Sequence, residues 1–166
     1  MRVAAGLVPD AVEVEVFEGL REVEPYDEDL DTPFAPPGAA AFRAALERAD
    51  VLLIATPEYN SSIPGQLKNA LDWASRPLGE SELTGLPVAV VGASTSRFGA
   101  VWAQAELRKV LGASGARVVD AELAVPQAQL AIAGEELAEP EATAALRRVV
   151  ESLVAEGAVR QEAVAA

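Results

Sequence analysis

Val51-Leu52-Leu53-Ile54-Ala55-Thr56-Pro57-Glu58-Tyr59-Asn60-Ser61-Ser62-Ile63-Pro64-Gly65-Gln66-Leu67-Lys68-Asn69-Ala70-Leu71-Asp72-Trp73 decides the fold of this chain. Val51 to Ala55 is wholly apolar and short, the pattern of a strand buried on both faces of a parallel sheet. The polar, turn-rich run from Thr56 to Ile63 follows. A helix then spans about Pro64 to Ser75, with Pro64 suited to a first turn where its missing N–H costs nothing. Leu67, Ala70, Leu71 and Ala74 give it one apolar stripe. Open α/β sheets bind ligands where such a strand gives way to a loop and a helix.

The same alternation continues outward. Pro87 to Ala93 is a second wholly apolar strand, and Arg117 to Val125 reads as a last one. Phe98 to Ala113 predicts a helix with Ala103, Leu107, Val110 and Leu111 inward. Glu141 to Glu156 predicts another with Leu146, Val149, Val150 and Leu153 inward, and Gly157 to Ala166 a frayed tail. Upstream, Gly38 to Ala49 is helical on the stripe Phe42, Ala45, Leu46 and Ala49. Tyr26 to Pro37 is a loop rich in acid and proline. Val12-Glu13-Val14-Glu15-Val16 alternates apolar and charged, as a half-exposed edge strand does. The fold class is α/β: a parallel sheet covered by helices on both faces. One domain over residues 1–157 is expected, followed by the tail 158–166.

The chain has 166 residues, no cysteine, no histidine and a net charge of −13. Thiolate chemistry, disulfides and Cys-based metal sites are excluded. The commonest general base and transition-metal ligand is also missing. An enzyme so composed relies on carboxylates, on Ser, Tyr or Lys, or on a cofactor that carries the chemistry. The acidic balance argues against nucleic acid and anionic membranes as partners. No run approaches the roughly 20 apolar residues of a membrane span. Cytoplasmic residence is the default expectation. Asp27, Glu28, Asp29 and Asp31 lack a calcium-loop pattern and read as a solvated loop.

The run from Thr56 to Trp73 resembles the flavin-contacting motif of the NADPH-dependent FMN reductase family, which includes quinone, azo-dye and chromate reductases on a flavodoxin-like fold. The match covers Pro57-Glu58-Tyr59-Asn60, Pro64-Gly65, Leu67-Lys68-Asn69 and Asp72-Trp73. The resemblance implies that Pro57, Glu58, Tyr59 and Asn60 lie along the flavin ring, and that Ser62 holds the loop or caps the helix. The bland alternative is an ordinary strand-to-helix turn. A second loop, Gly92-Ala93-Ser94-Thr95-Ser96-Arg97-Phe98-Gly99, ends the neighbouring strand. By resemblance it covers the other side of the ring through Ser94, Arg97, Phe98 and Gly99. Ala103-Gln104 and Leu107-Arg108 match the family as well.

Other residues divide less sharply. Lys68 is either a phosphate or nicotinamide contact or a helix-surface residue. Trp73 and Trp102 either cover a flavin or sit at a subunit contact. Asn69 and Trp73 fall off their helix's apolar stripe, which favours a partner surface over the domain core.

The resemblance also implies a strand, a Gly-Ser-rich phosphate-gripping loop and a helix before the Val12 strand. Only eleven residues precede Val12, whereas a strand–helix–strand unit takes roughly 30. Met1 to Val8 is then the tail of that first helix and Pro9-Asp10 the turn out of it. The first strand and phosphate loop are expected to be missing, which leaves a slot in mid-sheet, and the natural protein is expected to begin further upstream. Alternatively, Arg2 to Val8 forms a substitute strand.

The function implied by the resemblance is an FMN-dependent NAD(P)H oxidoreductase. It would pass hydride through the flavin N5 to quinones, azo compounds, metal oxyanions or free flavin, with FMN and NADPH or NADH as cofactors. No catalytic side chain and no metal is expected. The partners implied are a small-molecule electron acceptor and further copies of the chain, as a homodimer or homotetramer. The rival from another class is a flavin-free scaffold or interaction subunit on the same fold. A flavodoxin-type electron carrier is a third reading, which the Pro57-Glu58-Tyr59-Asn60 motif disfavours.

Overall fold

The computed structural model describes residues 1–32 and 34–165, with side chains through Arg160. Three parallel strands form the central sheet in the order β1 (Leu52–Thr56), β2 (Pro87–Ala93), β3 (Arg117–Val125). Leu52 to Thr56 pair in step with Val88 to Gly92. The β2–β3 ladder runs from Pro87↔Arg117 to Ala93↔Val125, with an irregularity between Val88 and Val90.

Each crossover carries a helix: α3 (Gly65–Ala74) joins β1 to β2, and α4 (Val101–Ala113) joins β2 to β3. With α2 (Pro37–Glu47) they cover one face, where Val88, Val90, Leu71 and Leu107 are buried together. α1 (Arg2–Ala5) and α6 (Pro140–Ala165) cover the other, where Ala89 and Val91 meet Leu146, Val149, Val150 and Leu153. Successive residues of β2 thus feed opposite cores, which is why its sequence is apolar throughout. The result is the expected three-layer flavodoxin-like α/β sandwich. A short helix, α5 (Ala128–Ala131), and the two-residue strands β4 (Ile132–Ala133) and β5 (Glu136–Leu137) follow β3 as a hairpin that the sequence reading did not anticipate.

The Val12–Val16 strand does not form. Val14 is 43% and Val16 39% exposed, and the segment joins no ladder among the described residues. Alternation specifies two faces, but a strand also needs a neighbour to take its N–H and C=O groups. Between this segment and the free edge of β1 lies an open groove of about 700 Å³, walled by Phe42 and Leu46 on one side and Val150 and Leu153 on the other. With no strand on its far side among the described residues, this groove flanks the edge of the sheet and is not a slot in mid-sheet. Arg2 to Val8 does not fill it: Arg2–Ala5 is helical, and Ala4 packs into the α6 core.

Two further boundaries differ. α4 begins at Val101 rather than Phe98, because Gly99 and Ala100 both hold positive φ. α6 continues past Glu156 to Ala165 instead of fraying at Gly157. A Cβ at Gly157 would lie 2.6 Å from Val51 Cγ1, so this turn packs closely over the sheet. Arg117 and Glu156 form an ion pair across the same region. Ala166 lies outside the described residues.

Candidate functional site

β1 and β2 end side by side, and each hands over to a loop at the carboxyl edge of the sheet. The first loop closes on itself. Tyr59 N–H donates to Ser62 O at 2.9 Å, and Ser62 N–H donates back to Tyr59 O at 3.0 Å. Asn60 and Ser61 between them have φ of 53° and 60°. Two consecutive left-handed residues are what a type I′ turn requires, and Asn is among the residues that favour it. Serine in that region is strained, a condition that clusters at ligand-binding segments. The turn leaves Tyr59 60% exposed at its base. Thr56 is buried beneath, with its Oγ1–H donating to Pro57 O at 2.8 Å.

The second loop is sewn from within and to β3. Ser94 N–H donates to Val125 O at 3.1 Å, and Ser94 O accepts from Ala128 N–H at 2.9 Å. Ser94 Oγ accepts from Ser96 N–H at 3.1 Å, and Ser96 Oγ accepts from Phe98 N–H at 3.2 Å. Gly99 is required: its φ is +63°, and a Cβ would lie 2.9 Å from the backbone at Ala124–Pro126. Arg97 stacks over the Phe98 ring at 4.8 Å, and Phe98 meets Trp102 edge-on at 4.9 Å. These three exposed side chains form one contiguous cluster beside the second loop.

Glu58 joins the loops. Its Oε2 accepts from Trp102 N–H at 3.1 Å and from Ala103 N–H at 3.2 Å. The N-cap of α4 is Ala100, which has no side-chain oxygen to offer. A carboxylate from the neighbouring loop thus satisfies two of the orphaned first-turn donors, where the helix dipole also favours negative charge.

What remains is a set of unpaired donors among the described residues. Among the described residues, none accepts from the backbone N–H groups of Glu58, Asn60, Thr95 or Arg97. Unpaired amides from two adjacent loops, with aromatic side chains beside them, suit a flat polar ring that carries carbonyl oxygens and ring nitrogens. The ring portion of a flavin is such a group, so the residues present fit it.

Each sequence-predicted residue can now be placed. Pro57, Glu58, Tyr59, Asn60, Arg97, Phe98 and Gly99 lie in the two loops that leave the adjacent strands β1 and β2. Ser94 belongs to the second of these loops, and its hydroxyl is engaged inside it. Ser62 holds the turn through its backbone but does not cap α3. That helix starts after Pro64 without a side-chain cap, and the Ser62 hydroxyl donates back to Ile63 O at 3.5 Å. Lys68 pairs along its own helix with Asp72 at 2.5 Å.

Trp73 is a core residue rather than partner surface, and Asn69 is half-buried with its side chain bonded within the fold. Asn69 Oδ1 accepts from Tyr26 N–H at 2.7 Å and its Nδ2–H donates to Glu24 O at 2.8 Å. Trp73 is fully buried, with its Nε1–H donating to the same Glu24 carbonyl at 2.8 Å. Glu24 was missed by the sequence reading. Its carboxylate accepts from Gly38 and Ala39 N–H at 3.2 and 3.0 Å, taking the start of α2. Hydrogen bonds from backbone N–H groups, its own first and then these two, hold its carboxyl below the usual Glu range. Arg43 was missed too: it ties Asp31 and Glu82, both at 3.1 Å, to the Arg76 carbonyl at 2.8 Å. No local spacing marks either residue, because their partners come from distant segments.

Comparison with known proteins gives the family. The model of the family described as NADPH-dependent FMN reductase matches residues 1–130. An NAD(P)H-dependent FMN reductase of Pseudomonas aeruginosa is 46% identical over 108 residues, covering 65% of this chain and 57% of that protein. A 2-hydroxy-1,4-benzoquinone reductase of a Burkholderia species is 53% identical over 85 residues, covering 51% of this chain and 46% of that protein. The chain thus spans about half the length of these relatives. Among solved structures, the flavoenzyme NAD(P)H:(acceptor) oxidoreductase FerB of Paracoccus denitrificans superposes with a TM-score of 0.82 at 31% identity. That alignment covers 95% of this chain and 86% of FerB.

Proposed function

The chain belongs to the NADPH-dependent FMN reductase family, and on that premise we propose that its crevice holds FMN for transfer of reducing equivalents from NAD(P)H to a quinone. The observation that carries this reading is the row of unpaired N–H groups at Glu58, Asn60, Thr95 and Arg97, brought together from two adjacent strand ends. When bound, FMN supplies the hydride-accepting centre that a chain without His or Cys lacks. The residues supply the rest. The two loops orient the ring through backbone dipoles that need no rearrangement on binding. Tyr59, Phe98 and Trp102 offer apolar walls that exclude water from one side. Arg97 places the one cation of its loop at the mouth, where an anionic portion of either cofactor would meet it.

The acceptor class follows from the site's form. It is open and exposes aromatic surface, so it suits planar acceptors such as quinones and free flavin. Azo compounds and metal oxyanions would need only to approach the same exposed ring. The protein acts as a homodimer or homotetramer in this proposal, since Phe98, Trp102 and Tyr59 leave an apolar rim for a second copy to cover. The crevice draws on residues 57–104, which lie wholly within the proposed domain 1–157.

A flavin-free interaction subunit is the second reading, and the open groove beside β1 favours it. Steady-state oxidation of NADPH by the purified chain with added FMN and 1,4-benzoquinone separates the two. Acceptor-dependent turnover supports the reductase. A folded chain with no turnover at saturating FMN overturns it.

A further inference from the structure

We propose that Glu58 is a positioning residue that couples the two crevice loops and sets the width of the ring slot before any ligand arrives. This rests on the flavin reading of the site and adds a role for a side chain that the family motif alone would place against the ring.

Three observations converge. First, among the described residues Glu58 is the one side chain of the Pro57–Asn60 turn that bonds to another element: its Oε2 takes Trp102 and Ala103 N–H. Second, α4 has no cap of its own. Ala100 precedes it at a φ of 65°, a strained position with no side-chain oxygen, so the carboxylate is the only side-chain acceptor for those two donors among the described residues. Third, both anchors of this bridge are fixed from behind. The Tyr59–Ser62 backbone pair locks the turn on the Glu58 side. On the α4 side, buried Gln104 donates from Nε2 to Gly99 O at 3.3 Å and lies against Gly92 so closely that a Cβ there would be 2.6 Å away. The bridge thus spans two rigid bodies, and its length fixes their separation.

The consequence is specific. With Glu58 held on α4, the loop that carries the unpaired N–H groups of Glu58 and Asn60 is tied to the helix that follows the loop carrying those of Thr95 and Arg97. Charge-assisted bonds to backbone N–H are among the stronger ones available, and they also favour the dipole of α4. Without the carboxylate, the α4 donors turn to water and the two loops lose their common reference.

Glu58→Ala and Glu58→Gln test this in the full chain, by amide hydrogen exchange without flavin and by FMN titration. In Glu58→Ala, the Trp102 and Ala103 amides should exchange faster, and FMN affinity should fall by at least about fivefold, the factor that loss of one helix cap corresponds to. At saturating FMN, the visible band of the bound flavin should shift towards that of free flavin, a change that lowered helix stability alone does not produce. Glu58→Gln keeps a carbonyl acceptor and should restore amide protection and most of the affinity. Wild-type exchange and affinity in Glu58→Ala would overturn the proposal, as would an earlier melt with an unchanged flavin band. If the unsubstituted chain binds no FMN, the flavin reading falls, and the exchange of Trp102 and Ala103 still decides whether Glu58 joins the loops.

Discussion

The two edges of β1 contrast within a single strand. On one edge, Leu52 to Thr56 pair residue for residue with Val88 to Gly92, and the loop beyond is closed by its own turn and bridged to α4. On the other edge lies a groove of about 700 Å³, and the Val12–Phe17 segment across it makes no ladder. Both flanks are rich in valine. The difference teaches that apolar patterning chooses which face a segment turns inward, whereas order comes from having every backbone group met. The crevice sits on the well-paired side, where the geometry of its loops is over-determined.

Breaking the paired side should cost most. Leu107 is fully buried between α4 and the sheet, so Leu107→Ala should lower unfolding free energy by about 2–5 kcal/mol in urea denaturation. Asn69→Ala strips the two bonds that hold Tyr26 and Glu24 against α3. A loss of about 1–3 kcal/mol is expected, since it leaves the half-buried Tyr26 N–H unmet, whereas the Glu24 carbonyl keeps its bond from Trp73.

Acid should act through Glu24. Its folded carboxyl titrates below the ordinary value of 4.5, so its contribution to stability is present above that value and is lost as pH falls through the lower, folded one. A melting-temperature series should show this decline, and Glu24→Gln should flatten it. At the small end, Val14→Thr on the unpaired side should change stability by no more than about 0.5 kcal/mol. A larger loss there would mean that the segment is ordered in a way its exposure does not suggest.

The same contrast explains what was legible beforehand. Pro87–Ala93 and Arg117–Val125 are strands at the boundaries expected, and for Pro87–Ala93 burial on both faces leaves few other options. The buried stripes of α3, α4 and α6 also followed from spacing, as did the meeting of the Pro57–Asn60 and Ser94–Gly99 loops at adjacent strand ends. Val12–Val16 was misread because alternation carries no information about a neighbour. Asn69 and Trp73 were misread for a related reason. Their polar tips reach the Glu24 carbonyl from 45 and 49 residues away, and only the tertiary fold brings that partner to them. Glu58 matched the motif, yet its partners on α4 could not be read from the motif's own spacing.

The most direct test of the account is a titration of the 166-residue chain with FMN, followed by quenching of flavin fluorescence. The account predicts saturable quenching at one FMN per chain, because the unpaired amides proposed to meet the ring are already present in both loops. A folded chain that leaves flavin fluorescence unquenched would contradict it, and would mean that the paired side of β1 does not by itself make a flavin site.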